Sequence, residues 1–213
     1  MARNTSLELI ADPQVNARFD FPSRWDAAQR VLDVILITAS AIFWVPLLLV
    51  ILTLKMLIDG RPLLFHHVRV GRHGHPFMLH KIRTTPPAYQ PSAQDWPDEN
   101  FPPRTRFGRW MQRFDFDELP QLWNVLRGDM SLVGPRPETP YHCANFARAL
   151  PGYQQRLQVR PGLTGLAQAR GWRGNTSISQ RLLSDLEYLS HRGFAMYAMT
   201  LLRTVLNEAR RSC

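Results

Sequence analysis

Two adjacent carboxylates, Asp117 and Glu118, are the residues of this chain whose type and setting best suit chemistry. Pro120 follows two residues later and fixes the backbone that carries them. An ionised carboxylate can attack phosphorus and form an acyl phosphate, which divides one displacement into two. It can also hold Mg²⁺, which binds through one or two carboxylates together with substrate phosphates. The plainer alternative is that the pair caps the following helix, since acidic residues favour the positive end of a helix dipole.

Basic residues on rigid turns accompany this pair. Arg136 lies between two prolines in Gly134-Pro135-Arg136-Pro137, and its planar guanidinium suits phosphate oxygens. Lys81 and Arg83 form a second basic element, and Arg160 before Pro161-Gly162 is a third. Each element alone is more typical of an ordinary surface charge. Three of them in one small domain predict a site that binds phosphates.

Two other sets of polar residues leave their role open. Asp185 and Tyr188 are three residues apart on a predicted helix, so they share a face. That spacing fits two alternatives equally well: an exposed acid beside a half-buried tyrosine, or a pair of functional residues. The five histidines between residues 66 and 80 lack a helical metal-binding spacing and a nearby cysteine. We interpret them as surface or lipid-interface residues, not as zinc ligands.

Composition restricts the possible partners. The chain has 213 residues, enough for one domain with a core, and a formal net charge of +9, which favours anionic partners. A basic surface protein that binds nucleic acid or anionic lipid without catalysis would explain the charge but not the acidic pair. Nucleic acid is not expected, because stacking aromatic residues are not interleaved with the basic turns. Cys143 and Cys213 match no disulfide or metal pattern, which indicates a reducing compartment.

An uncharged segment, residues 34–54, is long enough to span a bilayer, at about 21 residues or roughly 32 Å of helix. Pro46 predicts a kink near its middle. Both flanks are basic, whereas a crossing helix usually has its positive excess on one side. We therefore predict a re-entrant membrane helix over 25–58, an N-terminal arm over 1–24 and a cytoplasmic catalytic domain over 59–213. A full crossing and a buried core helix are the alternatives.

The remaining chain predicts a fold that is mostly α with short β elements. Proline and polar residues over 86–103 indicate a long loop. Hydrophobic periodicity predicts strands and helices elsewhere. The strands are expected near 65–70 and 77–82, and the helices near 106–112, 119–126, 141–150, 179–189 and 194–210.

Taken together, these motifs resemble those of the bacterial sugar transferase family, the monotopic polyprenyl-phosphate hexose-1-phosphate transferases or small phosphoglycosyl transferases. The resemblance covers about residues 24–207. It rests on Arg30-x-x-Asp33, Lys81-Ile82-Arg83-Thr84 and the segments 117–125, 128–137 and 160–168. It implies a domain on the cytoplasmic face of the bacterial inner membrane. It also implies transfer of a sugar-1-phosphate from a UDP-sugar to undecaprenyl phosphate, with release of UMP and a requirement for Mg²⁺.

The resemblance also implies a role for individual residues. Asp117 would attack the β-phosphorus, carry an aspartyl-phosphosugar intermediate and ligate Mg²⁺. Glu118 would assist, as a base toward the polyprenyl phosphate. The substrate and phosphate-binding residues would be Lys81, Arg83, Arg136, Arg160 and Asp185. The segment 171–176 resembles the branch that starts capsule or exopolysaccharide repeats with glucose or galactose.

The chain departs from the family pattern near several of these motifs. Gln112 stands where Arg is usual, His67 where Gln is usual, and His191-Arg192-Gly193 replaces Asn-Trp-Ser. Arg113 is the expected substitute for the missing arginine. A second hypothesis is therefore a catalytically weakened member that acts as a membrane-bound assembly or regulatory partner. An anionic bilayer is an expected partner, and a homodimer is left open.

Overall fold

The computed structural model describes residues 23–89, 92, 95, 103–174 and 176–212. Most of the predicted N-terminal arm and most of the predicted loop at 86–103 lie outside these residues, as does Cys213. Within them the chain is mostly α with short β elements, as predicted.

A single long helix, α1 (Ser23–Asp59), opens the described chain and includes Pro46. Its 37 residues make it about 55 Å long. Among the described helices, it is the one whose length and composition would allow it to cross a membrane. The helix continues through Pro46, so the kink, the re-entrant path and the division at residues 24 and 59 stay predictions.

One face of α1 packs against the rest of the protein. Ile37 and Ile51 are buried on either side of Pro46, and each belongs to a different hydrophobic cluster. On the other faces apolar side chains are exposed, including Phe43 at 77% and Leu57 at 73%. An apolar surface of this extent is unusual in water and indicates contact with another apolar phase. The helix therefore associates the protein with a membrane while it shares the core of the domain.

Two polar side chains near the start of α1 hold it to the domain. Arg30 donates a hydrogen bond to the backbone carbonyl of Val125. The buried Asp33 carboxylate accepts from the Leu132 N–H at 3.1 Å and from the Tyr197 hydroxyl at 2.8 Å. Because the two residues are three apart, they share a face of the helix. This geometry explains the Arg-x-x-Asp motif as a structural anchor.

The elements that follow α1 are β1 (Leu64–Val70), β2 (Pro76–Ile82), α2 (Arg106–Arg113), α3 (Gln121–Arg127), β3 (Ser131–Val133), α4 (Pro140–Ala149), β4 (Gly162–Thr164), α5 (Leu166–Ala169), α6 (Ile178–Ser190) and α7 (Phe194–Ser212). Seven of them, β1, β2, α2, α3, α4, α6 and α7, match the predicted helices and strands to within two residues, whereas β3, β4 and α5 were not predicted. Strands β1 and β2 form an antiparallel hairpin in which Leu64 pairs with Ile82 and Val70 with Pro76.

Two further hydrophobic clusters complete the core, and Trp25 and Leu32 of α1 pack against the first of them. One joins α6, α7 and β3 around the buried Tyr188, whose hydroxyl donates to the Val133 carbonyl at 3.1 Å. The other joins α4, α6 and β1 around Cys143 and Tyr153. Together with the clusters at α1, they surround the short strands from several sides.

The parallel pairing of β3 with β4 was not predicted from the sequence. Ser131 pairs with Gly162, and Val133 with Thr164. A Cβ atom added to Gly162 would lie 2.1 Å from the Gly134 nitrogen and 2.2 Å from the Thr164 oxygen. Such distances leave no room for any side chain. The glycines of the two proline-containing turns are thus needed for this close backbone contact.

We expect Gly162→Ala to lower the free energy of unfolding by at least about 1–3 kcal/mol, since the clash is with rigid backbone atoms. Thermal unfolding of the detergent-purified protein would measure this. The matched control is Gly193→Ala, because a Cβ atom there meets nothing within 4 Å. Equal melting temperatures for the two variants would contradict the close contact.

Candidate active site

A cavity of about 730 Å³ is lined by side chains from the β1–β2 hairpin, the turn Phe116–Glu118, the β3–β4 pair and α7. Its volume lies in the range of small-molecule sites. Five of the residues predicted from the sequence line it, namely Lys81, Arg83, Asp117, Glu118 and Arg136. The structure thus brings together basic and acidic residues that are up to 55 positions apart in the chain.

The acidic pair lies in a tight turn immediately before α3. Asp115 opens this turn in a left-handed conformation with φ of 52°. Pro120 occupies the capping position of α3, and no side chain caps that helix. The interpretation of the pair as a helix cap is therefore wrong, because both carboxylates point to the cations of the cavity instead.

Glu118 forms the strongest ionic contacts of the site. Its Oε1 atom lies 2.6 Å from Lys81 Nζ and 2.6 Å from Arg136 Nη2. Its Oε2 atom accepts a second hydrogen bond from Arg136 Nη1 at 3.3 Å. Burial opposes ionisation of Glu118, but Arg136 and Lys81 outweigh it and hold its pKa far below the usual range. An acid held ionised in this way is a poor proton acceptor near neutral pH.

Asp117 has a different environment, although it is the adjacent residue. It is 3% exposed, and its Oδ2 atom lies 3.8 Å from Lys81 Nζ. Its Oδ1 atom is buried and has no hydrogen-bond partner among the described residues. Burial raises its pKa to about 6, since the attraction of Lys81 does not compensate and the charge of Glu118 adds to the shift. The carboxylate is still mostly ionised at pH 7 and keeps one acceptor oxygen available.

The residues of the cavity fit a magnesium ion bound partly by substrate. No group of three metal-binding side chains occurs in the part of the chain that the structure describes. The unpartnered Oδ1 atom of Asp117 is a suitable single ligand. Because Mg²⁺ is often held by one or two carboxylates plus substrate phosphates, a complete protein cage is not required.

Asp185 supports the Arg136 turn from behind and does not line the cavity. It is buried and lies 2.9 Å from Arg156, whose Nη2 atom donates to the Arg136 carbonyl at 2.8 Å. Arg156 also donates to the Tyr153 hydroxyl at 2.8 Å. The placement of Asp185 therefore does not support its predicted contact with substrate. Its spacing from Tyr188 instead reflects two separate structural contacts on one buried face.

Arg160 also lies away from the cavity. Its Nε atom donates to the Gly128 carbonyl at 3.1 Å and so holds the end of α3. Near it lie Asp26 and Asp33 of α1, in a small polar pocket. Its predicted role in phosphate binding is not supported by this position, because the guanidinium is oriented toward the backbone of the domain.

Several cavity residues were missed by the sequence analysis. His67 and Arg69 lie on the same face of β1 as Phe65, and all three line the cavity, so the period of two along the strand was the available signal. The surface position predicted for His67 is wrong: the ring is half-buried, and burial together with Arg69 lowers its pKa to about 4. Arg104 and Arg173 line the cavity from irregular segments, where no periodic signal exists.

Gln112 lines the cavity, whereas Arg113 does not replace the missing arginine there. The Gln112 side chain donates to the Thr84 hydroxyl at 3.3 Å. Arg113 is exposed, and its guanidinium lies 5.8 Å from the centre of the Phe114 ring. The expectation that Arg113 compensates for Gln112 is therefore wrong.

Comparison with known proteins identifies relatives of this chain. The family model described as bacterial sugar transferase matches residues 24–211. A UDP-glucose:undecaprenyl-phosphate glucose-1-phosphate transferase of Caulobacter vibrioides is 41% identical over 189 residues, which cover 84% of this chain and 69% of that protein. The Escherichia coli protein of the same name is 35% identical over 165 residues, 76% of this chain but 36% of its own length.

A third relative is closer in length. The exopolysaccharide production protein ExoY of Rhizobium meliloti is 33% identical over 179 residues, which cover 77% of each chain. The match of the family model over nearly the whole chain, with these identities, shows that the chain belongs to the bacterial sugar transferase family.

Proposed function

We propose that the protein transfers a sugar-1-phosphate from a UDP-sugar to undecaprenyl phosphate and releases UMP, as the first membrane step of exopolysaccharide, capsule or glycan synthesis. The observation that carries this proposal is the buried Asp117 carboxylate, with one unpartnered oxygen, beside Lys81 and Arg136. Relatives named as glucose-1-phosphate transferases make UDP-glucose the first donor to test.

In the first step, an Asp117 oxygen attacks the β-phosphorus of the UDP-sugar. A bond forms between that oxygen and phosphorus, and the bond from phosphorus to the α–β bridging oxygen breaks. UMP leaves with the electron pair, so an aspartyl-phosphosugar remains on the protein. Burial favours this attack because a carboxylate with a raised pKa is a stronger nucleophile than one stabilised by several cations.

Glu118 supports this step without transferring a proton. Its ion pairs hold Lys81 and Arg136 at the same edge of the cavity, where they can contact phosphate oxygens. We therefore assign Glu118 a positioning role in place of the expected role as a base. Mg²⁺ bound by Asp117 and substrate phosphates would neutralise the charge that develops on the leaving UMP.

The same arrangement suits a domain at the cytoplasmic face of the bacterial inner membrane. The nucleotide donor is made in the cytoplasm, whereas the polyprenyl acceptor stays in the bilayer. Helix α1 contacts the domain on both sides of Pro46, through Ile37 and Ile51. Contact by both halves supports a helix that enters and leaves the membrane on one side.

We expect Asp117→Asn to reduce UMP release from UDP-glucose by at least about a thousandfold, since an amide oxygen is a very weak nucleophile. Radiolabelled UDP-glucose and purified protein would measure both UMP and the labelled protein intermediate. Glu187→Gln is the matched control, because it removes an exposed carboxylate paired with Arg170, away from the cavity. Full activity of Asp117→Asn would exclude the proposed nucleophile.

The first step should depend on pH through Asp117. The attacking form is the carboxylate, so the rate is expected to fall as the pH drops through about 6, in place of the usual range near 4. Single-turnover UMP release without acceptor isolates this step from titration of the acceptor phosphate. Asp115→Asn removes a charge that raises the Asp117 pKa, so its midpoint should be lower. A midpoint unaffected by that change would contradict the assignment.

Membrane topology can be tested with single cysteines at residues 5 and 212, introduced after replacement of Cys143 and Cys213. A re-entrant helix predicts that neither probe reacts with a periplasmic thiol reagent until the inner membrane is permeabilised. Labelling of the probe at residue 5 alone in intact cells would instead show that α1 crosses the bilayer.

A further inference from the structure

We propose that Arg83 and Arg104 form a second phosphate site, separate from Lys81 and Arg136, that binds the phosphate of the polyprenyl acceptor at the membrane end of the cavity. This inference rests on the proposed function, because it concerns the second substrate of that reaction. Both arginines line the same cavity as Asp117.

The first observation is that the cations of the cavity differ in how they are paired. Lys81 and Arg136 are both paired with Glu118, at 2.6 Å each. Among the described residues, neither Arg83 nor Arg104 forms a salt bridge with a carboxylate. The two pairs of cations therefore have different free capacity for an anion.

The second observation is the buried and unsatisfied donors of these arginines. Arg83 is 6% exposed, and its Nε atom has no hydrogen-bond partner within the described ranges. Its Nη2 atom makes a long contact of 3.4 Å to the Arg61 carbonyl. The Nε atom of Arg104 is likewise buried and unpartnered. Because buried charged donors are costly when unpaired, their arrangement indicates an anionic ligand.

The backbone brings together the two segments that carry these arginines. The Thr105 N–H donates to the Thr84 carbonyl at 3.0 Å, so the residues directly preceding each threonine flank this bond. A Cβ atom on Gly108 would lie 2.2 Å from the same Thr84 oxygen, which shows how closely α2 packs on the end of β2. Backbone packing thus fixes the positions of the two segments relative to each other.

The same segment is attached to the end of the membrane helix. The Thr105 hydroxyl donates to Asp59 Oδ2 at 2.6 Å, and that oxygen also lies 2.6 Å from Lys55 Nζ. Next to Asp59, the apolar side chains of Leu57 and Ile58 are exposed. A ligand with a phosphate head and a long apolar tail fits this surface, with its head at the arginines and its tail along α1. A water-soluble nucleotide would gain nothing from the exposed apolar side chains.

The site would serve the second step of the reaction. An oxygen of the acceptor phosphate attacks the phosphorus held on Asp117, and a new phosphorus–oxygen–phosphorus bond forms. The bond from phosphorus to the Asp117 oxygen breaks, and the carboxylate leaves with the electron pair. No proton is transferred, so no base is needed. The two guanidinium groups would reduce the repulsion between the two phosphates as they approach.

The test separates the two steps in the Arg104→Gln variant, since Arg104 is only half-buried. We expect UMP release from UDP-glucose without acceptor to stay within about threefold of wild type. The KM for undecaprenyl phosphate should rise by about 10–100-fold, the usual effect of losing a charged hydrogen bond. The KM of Arg104→Lys for undecaprenyl phosphate should lie between those of wild type and Arg104→Gln. Arg106→Gln is the matched control, because Arg106 lies two residues later at the start of α2, is exposed and does not line the cavity.

Two outcomes would overturn the inference. One is an unchanged KM for undecaprenyl phosphate in both Arg104→Gln and Arg83→Gln, measured on variants that melt like wild type. The other is that UMP release without acceptor falls by the same factor as turnover with acceptor, which would mean that these arginines bind the UDP-sugar. Absence of UMP release from the wild type with any common UDP-sugar would instead refute the proposed function itself.

A further experiment distinguishes undecaprenyl phosphate from general anionic lipid as the ligand of the two arginines. The KM measurements are repeated in phosphatidylcholine vesicles with and without phosphatidylglycerol. The acceptor site predicts the same increase in KM for Arg104→Gln in both. An increase confined to vesicles with phosphatidylglycerol would mean that the arginines bind general anionic headgroups, and would exclude the acceptor site.

Discussion

The ionic contact on which the site depends is the one between Glu118 and two cations from distant parts of the chain, Lys81 and Arg136. Burial raises the pKa of the neighbouring Asp117, and because both cations contact Glu118 more closely, only a weak interaction with Lys81 at 3.8 Å opposes that rise. Two acids that are chemically similar and adjacent in sequence thereby acquire different functions. The separation of their pKa values follows from which carboxylate the cations reach.

This arrangement requires a rigid support, and the support is mostly backbone. The contact of Gly134 with Gly162 brings the Arg136 turn against β4, and Arg156 holds the Arg136 carbonyl while Asp185 balances its charge. These residues do not line the cavity, yet they determine where the guanidinium of Arg136 lies. Their dense packing explains why proline and glycine are concentrated around the site.

The sequence predicts some parts of the fold and of the site better than others, for physical reasons. The helices α2, α3, α4, α6 and α7 and the hairpin follow local periodicity, so the sequence predicts them to within two residues. Lys81, Asp117 and Arg136 line one cavity, as expected from residue types that suit phosphate chemistry. Three features depend on contacts between distant segments, which leave no local pattern in the sequence. They are the parallel β3–β4 pairing, the contact of Asp185 with Arg156, and the position of Arg160 outside the cavity.

The burial of Ile37 and Ile51 on either side of Pro46 has a consequence for how the protein can be handled. The two side chains fill clusters that also contain Leu79, Val125 and Met111. Deleting α1 to obtain a water-soluble fragment would remove one wall of both clusters and expose their apolar contents. The apolar helix α1 is therefore an integral part of the folded domain, and a fragment without it would lack part of its core.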